Sequence, residues 1–463
     1  MITSICDSEK RQEDAQMDPK VKRALVVSVI EGILAVLINQ FFGGAYLTGY
    51  FLWMGASSFF IGIFGSIPYF ANMLQMLSLV YLHKLKSRKQ LIVPLMWTAR
   101  TSILLFALFP LMKRWGLLFS YLLYLYIQIA GAISSPLWQS WMADLVPTGT
   151  LGNYFGFRNL VLGLVQIPAM LVAGFILDSL GENIKGFAVL FLIAGSVGLL
   201  NGYFLKIQYE PPYAQREASL GFLQTLKILM KNKNYRNFLI GFTFWEFALG
   251  ISGPYINVML LREVKFSYSE ISLMNAVNMF IGSLFQPFWG RAGDKYGFQY
   301  FLKVCVWAQT FAILLWALTP KSFLYVLLLQ IYIGVFVTAG TSQLIFYNLM
   351  QVSPPDLKTE AFSLYNGFVN FALFLGSILS GAIVSCFEWL NVKVWYLNVT
   401  SVRLVLFISF VLRIFAATMI TKLEFGRPKQ VTVVQLIRET FVNDVIPWIR
   451  GFTANLKIFR KRY

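Results

Sequence analysis

Charged residues are scarce in this sequence. They make up 13% of its 463 residues, against 57% hydrophobic residues, whereas a soluble domain carries about 25% charged residues. Histidine and cysteine are scarcer still, with one His and three Cys. The three thiols, Cys6, Cys305 and Cys386, are scattered along the chain, so they provide neither a disulfide framework nor the spacing of a metal site. These shortages exclude a soluble domain and a disulfide-stabilised secreted module.

Two sequence motifs are also absent. The first 20 residues are polar and of mixed charge, unlike a cleavable signal peptide, so we expect the first apolar span to direct membrane insertion. The chain also has no Gly-x-x-x-x-Gly-Lys-Ser/Thr loop, which cradles the phosphates of ATP in P-loop proteins. It therefore lacks this means of driving work directly with ATP.

Long apolar runs are abundant instead, and the mean hydropathy is +0.64. A helix needs roughly 20 apolar residues to cross a bilayer, and in lipid a helix satisfies its own backbone groups whereas an open sheet edge does not. Asp18-Pro19 predicts a helix start, with an N-cap acid before Pro in the first turn. The sequence predicts an all-α membrane protein with twelve transmembrane spans, at 24–51, 59–82, 91–112, 117–142, 160–180, 186–205, 238–261, 271–288, 300–318, 323–350, 361–387 and 401–420.

Lys and Arg predict the orientation of these spans, because cytoplasmic loops carry an excess of both. With both termini inside, the inner loops hold 14 of these residues and the outer loops hold 7. Both termini are therefore expected in the cytoplasm. The formal net charge of +18 is then a membrane-surface feature, and no nucleic-acid partner is expected. The predicted location is the plasma membrane, or the inner membrane of a bacterium.

A polar interval divides the spans into two halves. The predicted domains are a cytoplasmic tail at 1–22, a six-span half at 23–205, a linker at 206–237, a second six-span half at 238–421 and a tail at 422–463. Within the linker, 219–230 has the apolar stripe of a helix that lies on the inner membrane surface. Residues 433–446 have a similar stripe, and the bases that follow favour anionic lipid headgroups. A frayed soluble tail fits that last segment equally well.

Similar segments recur in the two halves. Residues 147–159 follow the fourth span, and residues 354–366 follow the tenth, 207 residues later. Both segments open with Pro, and both carry Phe and Asn at matching positions. Gly-Ala-Tyr at 44–46 likewise parallels Gly-Pro-Tyr at 253–255. An internal repeat of this kind indicates two halves of similar fold, as in many carriers.

A short charged segment organises the second half. Residues 289–297 separate two apolar spans and are predicted to form a tight turn at a water interface. Their pattern, Gly-x-x-x-Asp-Lys-x-Gly, resembles the signature between the second and third helices of each half of major facilitator superfamily transporters. The family usually places basic residues after the last Gly, where this sequence has Phe and Gln. The matching residues are Gly290, Asp294, Lys295 and Gly297.

The resemblance implies a fold and a latch. It implies two pseudo-symmetric six-helix halves, with a solute site between them near the bilayer midplane. In the family this turn contacts the start of the eleventh helix, which here contains Glu360. The matching turn of the first half holds His83 and Lys84, so we expect one of them to face Glu360. Positive-inside charges without a latch explain both bases equally well. Asp294 is expected near the start of the fifth helix, beside Arg158.

Several charges fall inside predicted spans, where charges are costly and usually functional, and four of them are candidates for proton carriage or ion pairing. Glu31 and Arg100 lie at similar depth in the first and third spans, so we expect them to interact. Glu246 and Arg413 lie at similar depth in the second half. Each carboxyl group is a candidate proton carrier, and the alternative for each is a permanent ion pair that fixes helix packing.

Amides and aromatic residues are numerous on the spans that face the cavity in the family. They suit a solute with hydroxyl or amide groups on an apolar frame, although interhelical hydrogen bonds use the same side chains. The candidate cavity residues are Asn39, Gln40, Asn72, Gln75, Trp138, Gln139, Trp245, Asn275, Asn278, Gln343 and Asn370.

These features favour a secondary active transporter that moves a small organic solute by alternating access, with proton coupling as an option. The alternatives are a drug or amphipathic-lipid efflux carrier of the same fold, a membrane-embedded enzyme, and a channel or scaffold. An enzyme is disfavoured because the one His lies in a cytoplasmic turn. No cofactor, metal site or catalytic residue is predicted. The expected partners are the solute, H⁺ and a bilayer with anionic headgroups, around a monomer.

Overall fold

The computed structural model describes residues 18–82, 87–112, 114–147, 151–212, 222–354, 357–394 and 397–423. Within this part of the chain, nine helical stretches are long and apolar enough to cross a membrane. The helices are α1 (Pro19–Phe41), α2 (Gly44–Trp53), α3 (Ser58–Leu82), α4 (Lys89–Thr101), α5 (Arg114–Leu145), α6 (Leu151–Leu180), α7 (Ile184–Ile207), α8 (Phe222–Lys231), α9 (Lys233–Val258), α10 (Tyr268–Tyr296), α11 (Phe298–Ala317), α12 (Phe323–Ile333), α13 (Ser342–Val352), α14 (Lys358–Cys386) and α15 (Ser401–Thr421).

Three further helices coincide with predicted spans without being among those nine. They are α3, α9 and α10, with 25, 26 and 29 residues. Polar residues such as Glu246 in α9 and Asn275 in α10 lower the hydropathy of the last two. Their lengths are sufficient to cross a bilayer, which takes roughly 20 residues.

Side-chain caps fix several helix starts. Asp18 Oδ1 accepts a hydrogen bond from Lys20 N at 2.8 Å, and Pro19 occupies the first turn of α1. The predicted start of the first helix is therefore confirmed. Asn183 caps α7 in the same way, since its Oδ1 accepts from Lys185 N at 2.8 Å. Such caps satisfy backbone N–H groups that have no partner within the helix.

Four predicted spans are not continuous α-helices, and the seventh of the twelve ends in a π-helix at Met259–Val264. The first is broken between α1 and α2, where Gly43 is extended and Gly44 has a φ of +53°, an angle that Gly adopts without strain. The third continues beyond α4 as 3₁₀ turns at Ser102–Ala107 and Phe109–Met112. The tenth widens into a π-helix at Gly334–Thr341, between α12 and α13. Hydropathy alone predicted none of these breaks.

A β-hairpin lies between α14 and α15, where no strand was predicted. Strand β1 (Asn391–Val394) pairs antiparallel with β2 (Leu397–Thr400), and Val392 lies opposite Val399. Residues with branched Cβ atoms fit a pleated strand, and this loop lies outside the apolar spans, where an edge can be solvated. The all-α prediction is therefore corrected at this loop.

The chain forms two compact units. Unit 1 contains the described residues within 1–56, 70–219 and 267–269, and its core is rich in aromatic rings. Tyr50, Phe106 and Phe191 are all fully buried. The rings of Tyr50 and Phe191 meet edge to face, with 5.0 Å between their centroids, an arrangement that adds to the stabilisation from burial.

Unit 2 contains the described residues within 57–69, 220–266 and 270–463, and small residues let its helices pack closely. A Cβ added at Gly250 on α9 would lie 2.5 Å from the backbone oxygen of Leu373 on α14. Ser409 on α15 donates a hydrogen bond from Oγ to Ala248 O at 2.5 Å. Close backbone approach and hydroxyl-to-carbonyl bonds are typical of helix association in membranes.

The first part of α3 belongs to unit 2, and the rest of α3 belongs to unit 1. A Cβ added at Gly62 would lie 2.7 Å from the Cα atom of Gly381 on α14. Tyr255 on α9 donates from Oη to Ser58 O at 2.5 Å. The start of α3 is therefore fixed to α9 and α14 by backbone contact, which the sequence did not predict.

Candidate functional site

The first candidate site lies in unit 1 around Glu31, which is 4% exposed on α1. Arg100 Nη1 on α4 lies 3.0 Å from Glu31 Oε1. Asn201 on α7 donates from Nδ2 to the backbone oxygen of Glu31 at 2.8 Å, and its Oδ1 accepts a hydrogen bond from Arg100. The structure thus brings Glu31 and Arg100 together, as expected from their depth. Each lies roughly 17 Å from the start of its helix at 1.5 Å per residue.

Arg158 on α6 is a second cation beside Glu31. Its Nη2 lies 3.7 Å from Glu31 Oε2, and its Nε donates to Ser28 O at 3.4 Å. Its guanidinium carbon lies 4.7 Å from the ring centroid of Trp138. Gly32 leaves room for this side chain, since a Cβ there would lie 2.5 Å from Arg158 Nη2. Among the described residues, the carboxylate that Arg158 contacts is Glu31, and the expected proximity of Arg158 to Asp294, whose side chain lies outside the described residues, stays a prediction.

The second candidate site lies in unit 2 around Glu246 on α9, whose predicted partner is Arg413 on α15. Among the described residues no ion pair of 4.0 Å or less joins the two side chains. Arg413 instead donates from Nη2 to Ser252 Oγ at 3.3 Å and from Nη1 to Gln309 O at 3.4 Å. Its guanidinium carbon lies 5.4 Å from the ring centroid of Trp245. Arg413 therefore affects Glu246 through space rather than by direct contact.

Two phenols complete the surroundings of Glu246. Tyr69, from the part of α3 in unit 2, and Tyr365, from α14, are both close enough to interact electrostatically with the Glu246 carboxyl group. Phenol hydroxyls both donate and accept hydrogen bonds. The carboxyl group at 246 is thus surrounded by neutral polar groups and one more distant cation, whereas Glu31 contacts two cations.

The predicted cavity residues fall into three groups. Asn39, Asn72 and Gln139 are exposed on α1, α3 and α5, and Gln40, Gln343 and Asn370 are partly buried. Asn275 and Asn278 make interhelical hydrogen bonds. Asn275 Oδ1 accepts from Gln330 Nε2 at 3.0 Å. Asn278 donates from Nδ2 to Gln330 O at 3.0 Å, and its Oδ1 accepts from Thr338 Oγ1 at 2.9 Å. The side chain of Gln75 lies outside the described residues.

Trp245 was predicted to form part of a solute wall. It is fully buried, with 0% exposure, against the guanidinium of Arg413. Its role in a solute wall therefore stays a prediction, without support from the exposure of the ring in this structure. Trp138 is only partly buried and keeps its place as a candidate on the surface of unit 1.

The signature segment is helical for most of its length. Helix α10 continues to Tyr296, and the chain reverses only at Gly297, which has a φ of +98°. Gly290 lies within the last turns of that helix, and Gly293 O accepts a hydrogen bond from Gly297 N at 2.8 Å. The predicted turn is thus shortened to its last residue. A helix end followed by a left-handed Gly is a common way to stop a helix.

The charged members of the predicted latch are only partly described. Glu360 is partly buried in the first turn of α14. His83 and Lys84 lie outside the described residues, as do the side chains of Asp294 and Lys295. The latch therefore stays a prediction.

A further charged cluster in unit 1 was not predicted. Arg88, before α4, contacts Glu210 Oε1 through Nε at 3.1 Å and Asp144 Oδ2 through Nη1 at 2.6 Å. Glu210 also accepts from the backbone N of Arg88 at 2.9 Å and from Ser87 Oγ at 2.6 Å. It therefore caps the start of α4 from a distant part of the chain.

These contacts determine the charge of Glu210, which lies beyond the end of α7. Burial raises the pKa of its carboxyl group, but hydrogen bonds from Ser87, from the Arg88 side chain and from the backbone N–H groups of Arg88 and Lys89 lower it. The hydrogen bonds prevail, so the pKa lies below its ordinary value of 4.5. The carboxylate is thus held ionised at neutral pH.

A second remote cap was also missed. Residues 267–269 belong to unit 1, and there Asp178 accepts from Tyr268 N at 2.9 Å and from Ser269 N at 2.8 Å. Tyr268 donates from Oη to Glu182 Oε1 at 3.1 Å, and its ring stacks on Tyr46 with 5.9 Å between centroids. A carboxylate at the start of a helix stabilises its unpaired N–H groups. Only the position of Asp178 near a span end could have suggested this role.

In the comparison with known protein families, one family model matches. The family model for the Major Facilitator Superfamily matches residues 238–459. The chain is similar to this superfamily over that part. With nine candidate spans in its described part, the chain is a multi-pass protein of the plasma membrane or of a bacterial inner membrane. A comparison with curated proteins finds no match.

Solved structures of superfamily members share the fold. A variant of the nucleoside transporter NupG superposes with a TM-score of 0.70 at 15% identity, covering 86% of this chain and 99% of that one. A D-xylose-proton symporter superposes with a TM-score of 0.66 at 14% identity, covering 88% of this chain and 99% of the symporter chain. A bacterial homologue of the human lysosomal transporter Spinster superposes with a TM-score of 0.65 at 14% identity, covering 88% of this chain and 97% of the homologue. At these identities the similarity shows the fold alone.

Proposed function

We propose that this protein is a secondary active transporter that moves a small organic solute by alternating access and couples that movement to protons. It has twelve spans in two six-helix halves, joined by the linker at 206–237, and both termini lie in the cytoplasm. The two-fold excess of Lys and Arg in the predicted inner loops supports this orientation. The fold shared with solved solute carriers supports the transport function.

The contrast between two carboxyl groups carries the proposal of proton coupling. Glu31 has Arg100 at 3.0 Å and Arg158 at 3.7 Å, so it is neutralised by fixed cations. Glu246 has no ion pair within 4.0 Å among the described residues, and Tyr69 and Tyr365 lie near it. A protonated Glu246 can bond to the phenols, and an ionised one is attracted by Arg413. Glu246 therefore has partners in both protonation states, as a proton carrier needs.

The solute is proposed to be polar and organic. Asn39, Asn72 and Gln139 are exposed on predicted spans, and polar groups at such positions usually face a water-filled cavity rather than lipid. The names of two structures with the same fold, a nucleoside transporter and a D-xylose-proton symporter, favour a solute of this kind and a proton as its driving ion.

The test uses purified protein in sealed liposomes with an imposed proton gradient. A panel of radiolabelled nucleosides, sugars and organic acids is offered, and accumulation against the solute gradient is expected for at least one of them. Glu246→Gln fixes a neutral side chain, so it is expected to abolish gradient-driven accumulation while exchange of solute across the membrane continues. Glu246→Asp is the matched control, because it keeps a titratable carboxyl group and should retain part of the coupling.

Two outcomes would contradict the proposal. If Glu246→Gln accumulates solute as the unmodified protein does, the proton is not carried at Glu246. If no gradient drives accumulation of any solute while the protein binds one of them, the protein is not a proton-coupled carrier.

A further inference from the structure

The cluster around Glu31 carries more positive charge than negative. Glu31 supplies one carboxylate, whereas Arg100 and Arg158 supply two guanidinium groups, and Arg is always charged in proteins. Asn201 is neutral and serves both Arg100 and Glu31. Glu31, Arg100 and Asn201 belong to predicted spans, and Arg158 lies in the candidate membrane-spanning stretch Phe157–Leu180. An uncompensated charge is costly in such segments. We propose that a negatively charged group of the transported solute, a carboxylate or a phosphate, supplies the missing charge by binding at Arg158.

Both guanidinium groups of the cluster keep N–H donors without an acceptor among the described residues. Arg100 bonds through Nη1 alone, to Glu31 and to Asn201, and Arg158 is the one of the two that also lies against Trp138. Arg158 makes one hydrogen bond, from Nε to Ser28 O. Its Nη2 lies 3.7 Å from Glu31 Oε2, which is close enough for an ion pair but too far for a hydrogen bond. Among the described residues its two terminal nitrogens have no acceptor, and the side chain is 11% exposed. A guanidinium in this state presents a fork of N–H donors that fits a carboxylate or phosphate.

Trp138 provides a second, independent indication. Its ring holds the Arg158 guanidinium at 4.7 Å, which fixes the plane of the fork. Its own Nε1 is buried and has no hydrogen-bond partner among the described residues. A buried N–H without a partner costs about 1–3 kcal/mol. An acceptor that bonds to both Trp138 Nε1 and the Arg158 guanidinium would remove that cost. An anion beside Arg158 is such an acceptor.

The cluster is built to keep Arg158 in this position. Gly32 adjoins Glu31 on α1, and any side chain there would meet Arg158, since its Cβ would lie 2.5 Å from Nη2. Ser28 O, one turn earlier, receives the Nε hydrogen bond at 3.4 Å. One turn of α1 thus positions the guanidinium on one side, and Trp138 on α5 positions it on the other. This preorganisation lowers the cost of binding, because the side chain is ordered before the ligand arrives.

This inference rests on the proposed transport function and adds the charge of the solute. It distinguishes the two units, because in unit 2 one guanidinium group, that of Arg413, interacts electrostatically with one carboxyl group, that of Glu246. The anion-binding residue is therefore expected in unit 1 and the proton carrier in unit 2.

The test measures binding in a neutral detergent, by thermal stabilisation of the purified protein, so that it does not depend on transport. The probes are matched pairs that differ in charge: lactate with lactamide, succinate with succinamide, glucose 6-phosphate with glucose, and uridine monophosphate with uridine. At least one anion is expected to raise the melting temperature, and its neutral partner is not. Arg158→Gln should lower the affinity of the protein for that anion about 10- to 100-fold, which is the loss expected for one charge-assisted hydrogen-bonded contact.

Two variants control for folding and for general charge. Arg158→Lys keeps the charge but not the fork, so it should bind the same anion with an intermediate affinity. Lys206→Gln removes a cation that lies 5.8 Å from the ring of Trp97, elsewhere in unit 1, and should leave anion binding unchanged. An equal loss in Lys206→Gln would mean that the effect is general electrostatics.

The inference is overturned if no anion of the set stabilises the protein, if neutral partners stabilise it equally, or if Arg158→Gln binds anions as the unmodified protein does. It is also overturned if only anionic lipid, such as phosphatidylglycerol, competes for Arg158. Proton-driven accumulation of an uncharged solute, with no anion binding, would leave the proposed transport function intact and remove this inference alone.

Discussion

Replacing Glu31 by Gln is expected to destabilise unit 1 far more than the same change at Glu246 destabilises unit 2. The Glu31 side chain is 5% exposed and the Arg100 side chain is 17% exposed, at a contact of 3.0 Å. Gln keeps the shape of the side chain but leaves two guanidinium groups with no carboxylate. Removing one partner of a buried ion pair costs about 3–5 kcal/mol. Glu246 has no ion pair to lose, so its replacement should cost about 1 kcal/mol or less.

The assay is thermal unfolding of both variants in the same detergent and at the same pH. A unit of this size loses about 2–4 °C in melting temperature per kcal/mol. Glu31→Gln should therefore lower the melting temperature by roughly 6–20 °C, and Glu246→Gln by less than about 4 °C. In a double-mutant cycle with Arg100→Gln, a coupling of about 0.5–3 kcal/mol is expected. Equal losses in the two single variants, or additive losses in the cycle, would refute the reasoning.

Two other changes test contacts that the sequence did not predict. The pKa of Glu210 lies below its ordinary value of 4.5, so its carboxylate adds stability above about pH 4.5 that disappears as the pH falls through the lower folded value. Glu210→Gln should lower the melting temperature at pH 7, and this deficit should shrink as the pH falls below 4.5; a deficit independent of pH would count against this role. Gly62→Ala should lower the melting temperature of the protein, because the added Cβ would lie 2.7 Å from Gly381 Cα. Gly131→Ala is the control and should leave the melting temperature unchanged, because a Cβ there meets nothing within 4 Å.

The apolar runs predicted where helices cross the membrane but not where those helices end. The fifth span was predicted to begin at residue 160, whereas α6 begins at Leu151 and so includes Arg158. The eighth was predicted to end at residue 288, whereas α10 continues to Tyr296. In both cases polar residues prolong the helix beyond the lipid-facing run, because a helix makes its backbone hydrogen bonds internally in any surroundings. Hydropathy reports contact with lipid and therefore underestimates such helices.

The pairing of Glu31 with Arg100 could be anticipated because helix rise is constant, so that position along a span gives depth in the bilayer. Depth gives no information about which helices are neighbours. For this reason Asn201, which lies 170 residues from Glu31, was missed. The same applies to Glu210, which caps α4 from 122 residues away. Both contacts depend on the lateral order of helices within unit 1, and no local pattern in the sequence records that order.

The carboxyl groups of Glu31 and Glu246 differ in a way that bears on coupling. A bound proton shifts a conformational equilibrium only if its affinity differs between the conformations. All the partners of Glu31 lie within unit 1, so a movement of that unit as a rigid body leaves its surroundings unchanged. Glu246 has Tyr69 among its neighbours, at the point where α3 leaves unit 2 and continues in unit 1. We therefore expect a change in the course of α3 to alter the surroundings of Glu246 and its affinity for a proton, and a rigid movement of unit 1 to leave those of Glu31 unchanged.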